Sequence, residues 1–227
     1  MKVSLSPLIG DARGTAGGLS LFLSRAGMIA KINGMPYDPR TAAQLLVRAS
    51  LVSLSQTWKG SIMNPYRSAW ILLSHANPYQ DTFGVTRYLS GAAFFIKLNR
   101  NLATIGVNPI FPAPVSVACG APGLLTLSHI VGPPEHFYVT PTNPPAAGEA
   151  VVIRATKPLS PGVLTLSNAQ TVIQTFPAGT PGPWDIMTDY AKKHTTRTPG
   201  NLVFVLVNYV QATTGFAGQQ SIDSLLW

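Results

Sequence analysis

Residues 108–114 read NPIFPAP. Three prolines in seven residues favour extended backbone and forbid a helix through the segment. The spacing of apolar residues also changes across it, from a helical period before to short β-rich runs after, so 108–114 is expected to be a linker between two structural parts.

Downstream, the runs 115–118, 124–130, 137–140, 150–155, 163–166, 171–176 and 202–210 are rich in Val, Ile, Leu, Thr and Phe and are separated by Pro, Gly and Asn clusters. Seven such runs predict an all-β immunoglobulin/fibronectin-like sandwich over 115–227. The one cysteine, Cys119, cannot make an inter-sheet disulfide, which favours the fibronectin variety; beside Gly120 it reads as a buried, inert thiol. Residues 185–194 are expected to form a short helix before the last long strand. Trp227 is too apolar to stand free in water and is expected to be buried against the sandwich or a neighbouring subunit.

Upstream, 39–107 reads as a small helical unit. Asp38 followed by Pro39 is a helix start, and a helix from 39 to about 59 would carry Leu45, Ala49 and Val52 on one stripe and Leu51, Leu54 and Trp58 on the next, ending at Gly60. Asn64 and Pro65 repeat the cap-then-proline device for a second helix to about His75. A third helix, 90–104, places Ala93, Phe94, Ile96, Lys97, Leu98, Asn101 and Leu102 at helical spacing and is capped by Gly106. Trp58 and Trp70 are expected to pack together, with nucleobase stacking as their alternative use.

Residues 1–38 are punctuated by Gly10, Gly14, Gly17, Gly18, Gly27 and Gly34. The apolar runs 19–23 and 28–32 predict a β-hairpin turning at 24–27, and an isolated hairpin is marginal in water. This β arm is therefore expected to lie on the protein body or a neighbouring subunit, with Leu19, Leu21, Phe22, Met28 and Ile29, together with Trp58, Trp70 and Trp227, as assembly contacts. The whole chain is thus expected to be α+β: arm 1–38, helical unit 39–107, linker 108–114, sandwich 115–227.

Charge is scarce and one-sided. Asp, Glu, Lys and Arg make up 11% of the chain, against about 25% in an ordinary soluble domain, which leaves much surface to be covered by uncharged polar groups or by other chains. The net +8 lies wholly in residues 1–110, with eleven cationic and three acidic residues; beyond it there are five of each sign. Arg13, Arg25, Lys31, Arg40, Arg48, Lys59 and Arg67 are the expected contacts to an acidic partner or to nucleic acid.

No catalytic residue, metal ligand set or cofactor is expected. His75, His129, His136 and His194 are too dispersed for a local metal motif, and Gly14 to Gly18 lacks the Lys and Ser/Thr of a phosphate loop. Asp185 and Asp189, four apart, could share a helix face but read as solubility charges. The start MKVSLSPLIGDARG has no signal-peptide stretch, and no apolar run approaches the roughly 18 residues of a membrane span.

SPLIGDARG with Gly17 and Gly18, then Asp38, Pro39, Arg40 and Thr41 with Gln44 and Arg48, Ser55 to Trp58, Arg67 to Trp70, and Ser90 and Gly91 with Phe94 and Asn99, together resemble a family of largely uncharacterised bacteriophage and prophage proteins. The resemblance covers roughly residues 4–110 and implies phage origin and a place in the virion, with no catalytic role. The expected function is a non-enzymatic structural protein of a phage particle, capsid- or tail-associated, made in the host cytoplasm and partnered by copies of itself, other virion proteins and packaged nucleic acid. The alternatives are a nucleic-acid-associated protein using the basic half, and a hydrolase or carbohydrate-binding module carried by the sandwich.

Overall fold

The computed structural model describes residues 14–16, 19–24, 27–32, 40–80, 84–115, 118–162, 170–194 and 200–227. The chain forms two compact units, Met1–Leu46 and Val47–Trp227.

In the first unit, β1 (Gly14–Ala16), β2 (Leu19–Ser24) and β3 (Gly27–Ile32) form an antiparallel sheet in that order. The expected hairpin is β2–β3, closed at Ser24 opposite Gly27. β1 was not expected: Gly14 to Ala16 pairs with Leu21 to Leu19 instead of serving only as permissive backbone.

Helix α1 (Ala42–Gln56) begins in the first unit and continues into the second, closing in a wide π-type turn, Thr57–Ser61. The expected cap at Asp38 and Pro39 lies outside the described residues. Thr41 and Gln44 cap the helix: Gln44 N–H donates to Thr41 Oγ1 at 3.3 Å and Thr41 N–H to Gln44 Oε1 at 3.1 Å, a reciprocal capping box. Helix α2 (Asn64–Ala76) starts one residue earlier than expected, because Met63, not Asn64, holds the extended cap conformation. A two-residue ribbon, β4 (Tyr79–Gln80) with β5 (Thr86–Arg87), leads to α3 (Gly91–Thr104).

Helix α3 follows its local signals closely. Ser90 Oγ accepts from Ala93 N–H at 3.2 Å, and Phe94, Phe95, Leu98 and Leu102 are fully buried along one face, each worth roughly 2 kcal/mol. Gly106, at φ +76°, ends it in the left-handed conformation, with Val107 N–H reaching back to the Leu102 carbonyl at 2.9 Å. The 108–114 segment is held down rather than free: Trp70 Nε1 donates to the Phe111 carbonyl at 2.8 Å, and Asn99 bonds the backbone of Ile110.

Two antiparallel sheets follow. One is ordered β10–β7–β6, with β6 (Leu125–Ile130), β7 (His136–Pro141) and β10 (Trp184–Asp185); the other is β12–β11–β8–β9, with β8 (Glu149–Thr156), β9 (Gln170–Phe176), β11 (Leu202–Gln211) and β12 (Ser221–Leu226). Leu125, Phe137, Val139 and Trp184 from the first sheet share one core with Val151, Ile153, Ala155, Ile173, Val203, Val205 and Val207 from the second. Helix α4 (Met187–Lys193) occupies the expected place and adds Tyr190 to that core.

The expected strand at 115–118 is not formed at its described residues. Val115 is fully exposed, and Gly120 N–H is spent on the Glu149 carboxylate instead of a ladder. The 163–166 run lies outside the described residues. The short β10 and the edge strand β12 were not expected. The helical layer joins the sheets at Gly215 (φ +72°): a Cβ there would run into the Leu98 carbonyl, and Asn101 Nδ2 donates to the Gly215 carbonyl at 2.9 Å.

Candidate functional site

Helix α1 carries two apolar stripes, and the structure uses one. Leu54 is its only buried residue; half-buried Trp58, in the turn that follows, packs on the same helical core. The stripe of Leu45, Ala49 and Val52 stays open, and Leu46 and Val47 beside it and Leu51 of the stripe that is used are exposed as well, Leu46 by 73% and Val52 by 54%. Between α1 and its final turn, Leu51, Val52, Ser55, Gln56 and Lys59 line a shallow hollow of about 330 Å³. Its rim has a cation at Lys59 and no carboxylate, so it suits apolar side chains that arrive with a negative charge beside them.

The cations expected to meet a partner differ in availability. Arg13 and Arg25 lie outside the described residues. Lys31, Arg40, Arg48 and Lys59 are exposed. Arg67 is half-buried and turned inward, its Nη2 donating to the carbonyls of Trp58 at 2.9 Å and Lys59 at 2.7 Å, where the end of a helix concentrates negative partial charge.

Of the arm contacts, Phe22 pairs with Ile29 and Leu21 with Ala30 across β2–β3, and Leu21 is half-buried. The side chains of Leu19, Phe22, Met28 and Ile29 lie outside the described part. Trp58 and Trp70 are joined through a third ring: Phe95 lies 5.6 Å from Trp58 and 5.3 Å from Trp70. Trp227 is partly buried and meets His129, Phe137 and Tyr190 at 4.8, 5.3 and 5.4 Å, as its apolar character requires.

The titratable groups of the sheets are dispersed. Asp185 belongs to β10, not α4, so it shares no helix face with Asp189; it accepts from His136 Nδ1 at 2.6 Å, while Asp189 binds Lys192 at 2.9 Å. The His194 ring lies against Tyr190. Among the described residues no group of three His, Cys, Asp or Glu could hold a metal ion. Nor, among those residues, is any helix long and apolar enough to cross a membrane.

Cys119 is half-buried and donates to the Tyr209 carbonyl at 3.2 Å; burial first, and then the charge of Glu149, push the thiol up to about 11. Glu149 itself is buried and accepts from Gly120 N–H at 2.5 Å and Ala146 N–H at 3.0 Å. Sequence reading passed over Glu149, although a carboxylate opening the apolar run 150–153 is the kind of misfit that marks a buried clasp. Comparison with protein-family models, curated proteins and solved structures gives no match for the chain.

Proposed function

We propose that the chain is a non-enzymatic structural component of a phage particle that assembles through α1 and the N-terminal arm. The observation that carries this is the open stripe of α1. A fifteen-residue helix with one buried residue gains little from its own fold and leaves Leu46, Leu51 and Val52 in water, a cost that a partner removes. The charged fraction of 11% and the resemblance of residues 4–110 to phage and prophage proteins support the same reading.

The region 118–227 is read as a fibronectin-like sandwich within that component. In its support, all strand pairs are antiparallel, the fifth strand returns to pair with the second, and the sixth inserts between the third and the seventh. Its place in the particle is the virion surface, which suits the zero net charge of residues 111–227, five cations against five acids.

Light scattering after size exclusion tests the assembly role. The wild type is expected to exceed the monomer mass, and Val52→Asp, at an exposed position that cannot unfold the core, to shift it toward 24.1 kDa. A wild type that stays monomeric at high concentration, and that mass spectrometry does not find in purified particles, would overturn the reading.

A further inference from the structure

We infer that the exposed aromatic cluster where α2 runs into the β4–β5 ribbon is a stacking site for single-stranded nucleic acid. Of Trp58 and Trp70, the rings that sequence offered for base stacking, Trp70 is fully buried against Phe95 and closed to a base, and Trp58 is half-buried against the same ring. Tyr66 and Phe111 are exposed as well, but the exposed rings that stack on each other lie at the far end of α2. Tyr88 is 56% exposed and Tyr79 41% exposed, and His75, in the last turn of α2, is exposed beside Tyr88.

The geometry suits bases. The rings of Tyr88 and His75 lie nearly parallel, 19° apart with centroids at 5.4 Å, so Tyr88 is held on an aromatic backing while the rest of it faces water. Tyr79 stands opposite Arg87 in the ribbon, so these two side chains leave the same face, and Tyr88 follows Arg87 directly. A strand crossing the ribbon edge would meet the Tyr88–His75 stack, with the exposed residue Arg87 next to it along the chain.

Charge selects the ligand. Residues 47–110 hold Arg48, Lys59, Arg67, Arg87, Lys97 and Arg100 against one acid, Asp81. A neutral sugar would gain nothing from that field, and an acidic protein would make no special use of the rings. A polyanion with π faces uses both.

The test is fluorescence anisotropy of the full chain with labelled oligo-dT and oligo-rU at salt from about 50 to 200 mM. Binding is expected to weaken with salt. Tyr88→Ala should weaken it about tenfold and Tyr88→Phe should not. Arg87→Gln should lower the log–log salt slope by about 0.7. Tyr88 is more than half exposed, so Tyr88→Ala should keep the wild-type circular dichroism spectrum. The dT and rU arms separate DNA from RNA, and preference for either supports the site. No binding near 50 mM salt, binding that Tyr88→Ala leaves unchanged, or a duplex bound as tightly as the single strands would overturn it.

Discussion

Asn99 and Ile110 are joined by two hydrogen bonds through one side chain: Ile110 N–H donates to Asn99 Oδ1 at 2.7 Å, and Asn99 Nδ2 donates to the Ile110 carbonyl at 3.3 Å. The amide thus stands in for a strand neighbour and pins the proline-rich segment to α3. Asn99 is completely buried, so water cannot take its place. Asn99→Leu keeps the volume but strands both backbone groups of Ile110, and should cost on the order of 3 kcal/mol. Urea unfolding checks this as a lower midpoint at unchanged slope.

Trp70 anchors the same segment from the other side. Its ring is fully buried between Phe94 and Phe95, and its Nε1 holds the Phe111 carbonyl at 2.8 Å. Trp70→Ala should therefore cost about 3 to 5 kcal/mol and yield insoluble protein, since that is much of a typical domain's stability. Trp58→Ala, at a half-buried ring, should remain soluble with a smaller loss. Equal losses at the two sites would refute the ranking.

What sequence made legible follows from how local each signal is. Helix α3 was readable because Ser90, the apolar spacing and Gly106 all lie within seventeen residues. Edge strand β12 was not: its apolar Ile222 and Leu226 sit on the exposed side, while Ser221 and Asp223 are half-buried, so alternation marks no core face. The run 115–118 looked like a strand, yet Pro112 and Pro114 before it lack N–H donors and Gly120 turns to Glu149. On α1 the two stripes are equally apolar, and only packing decides that Leu54 is buried and Val52 is not. The cations were readable as a class, but the inward turn of Arg67 depends on where α2 meets the end of the preceding helix.

Cys119 should be chemically quiet in the folded protein. With its thiol pushed up to about 11 by burial and by Glu149, the thiolate fraction at pH 8 is about 0.1%, against roughly a quarter for an ordinary cysteine. Alkylation by iodoacetamide should therefore run about a hundredfold slower in native protein than in urea. Comparable rates would show that the 118–120 segment opens readily, and that the Glu149 clasp does not hold it.

Asp185 gives the acid limb of stability a specific origin. Burial by itself would raise the pKa of its carboxyl, but the bond from His136 at 2.6 Å and those from the Met187 and Phe137 N–H groups at 3.0 and 3.2 Å outweigh it, holding the group below the usual Asp value. A carboxylate depressed in the folded state contributes stability that is fully present above its unfolded pKa, about 3.9, and is lost as pH falls through the lower folded value. Asp185→Asn removes that contribution. The side chain is 36% exposed, so solvent screening keeps the effect modest. Thermal melts from about pH 3 to 7 should show the wild type above Asp185→Asn near neutrality and the two curves converging at the acid end. Curves that stay parallel across the range would mean that the His136–Asp185 contact adds nothing to folding through its charge.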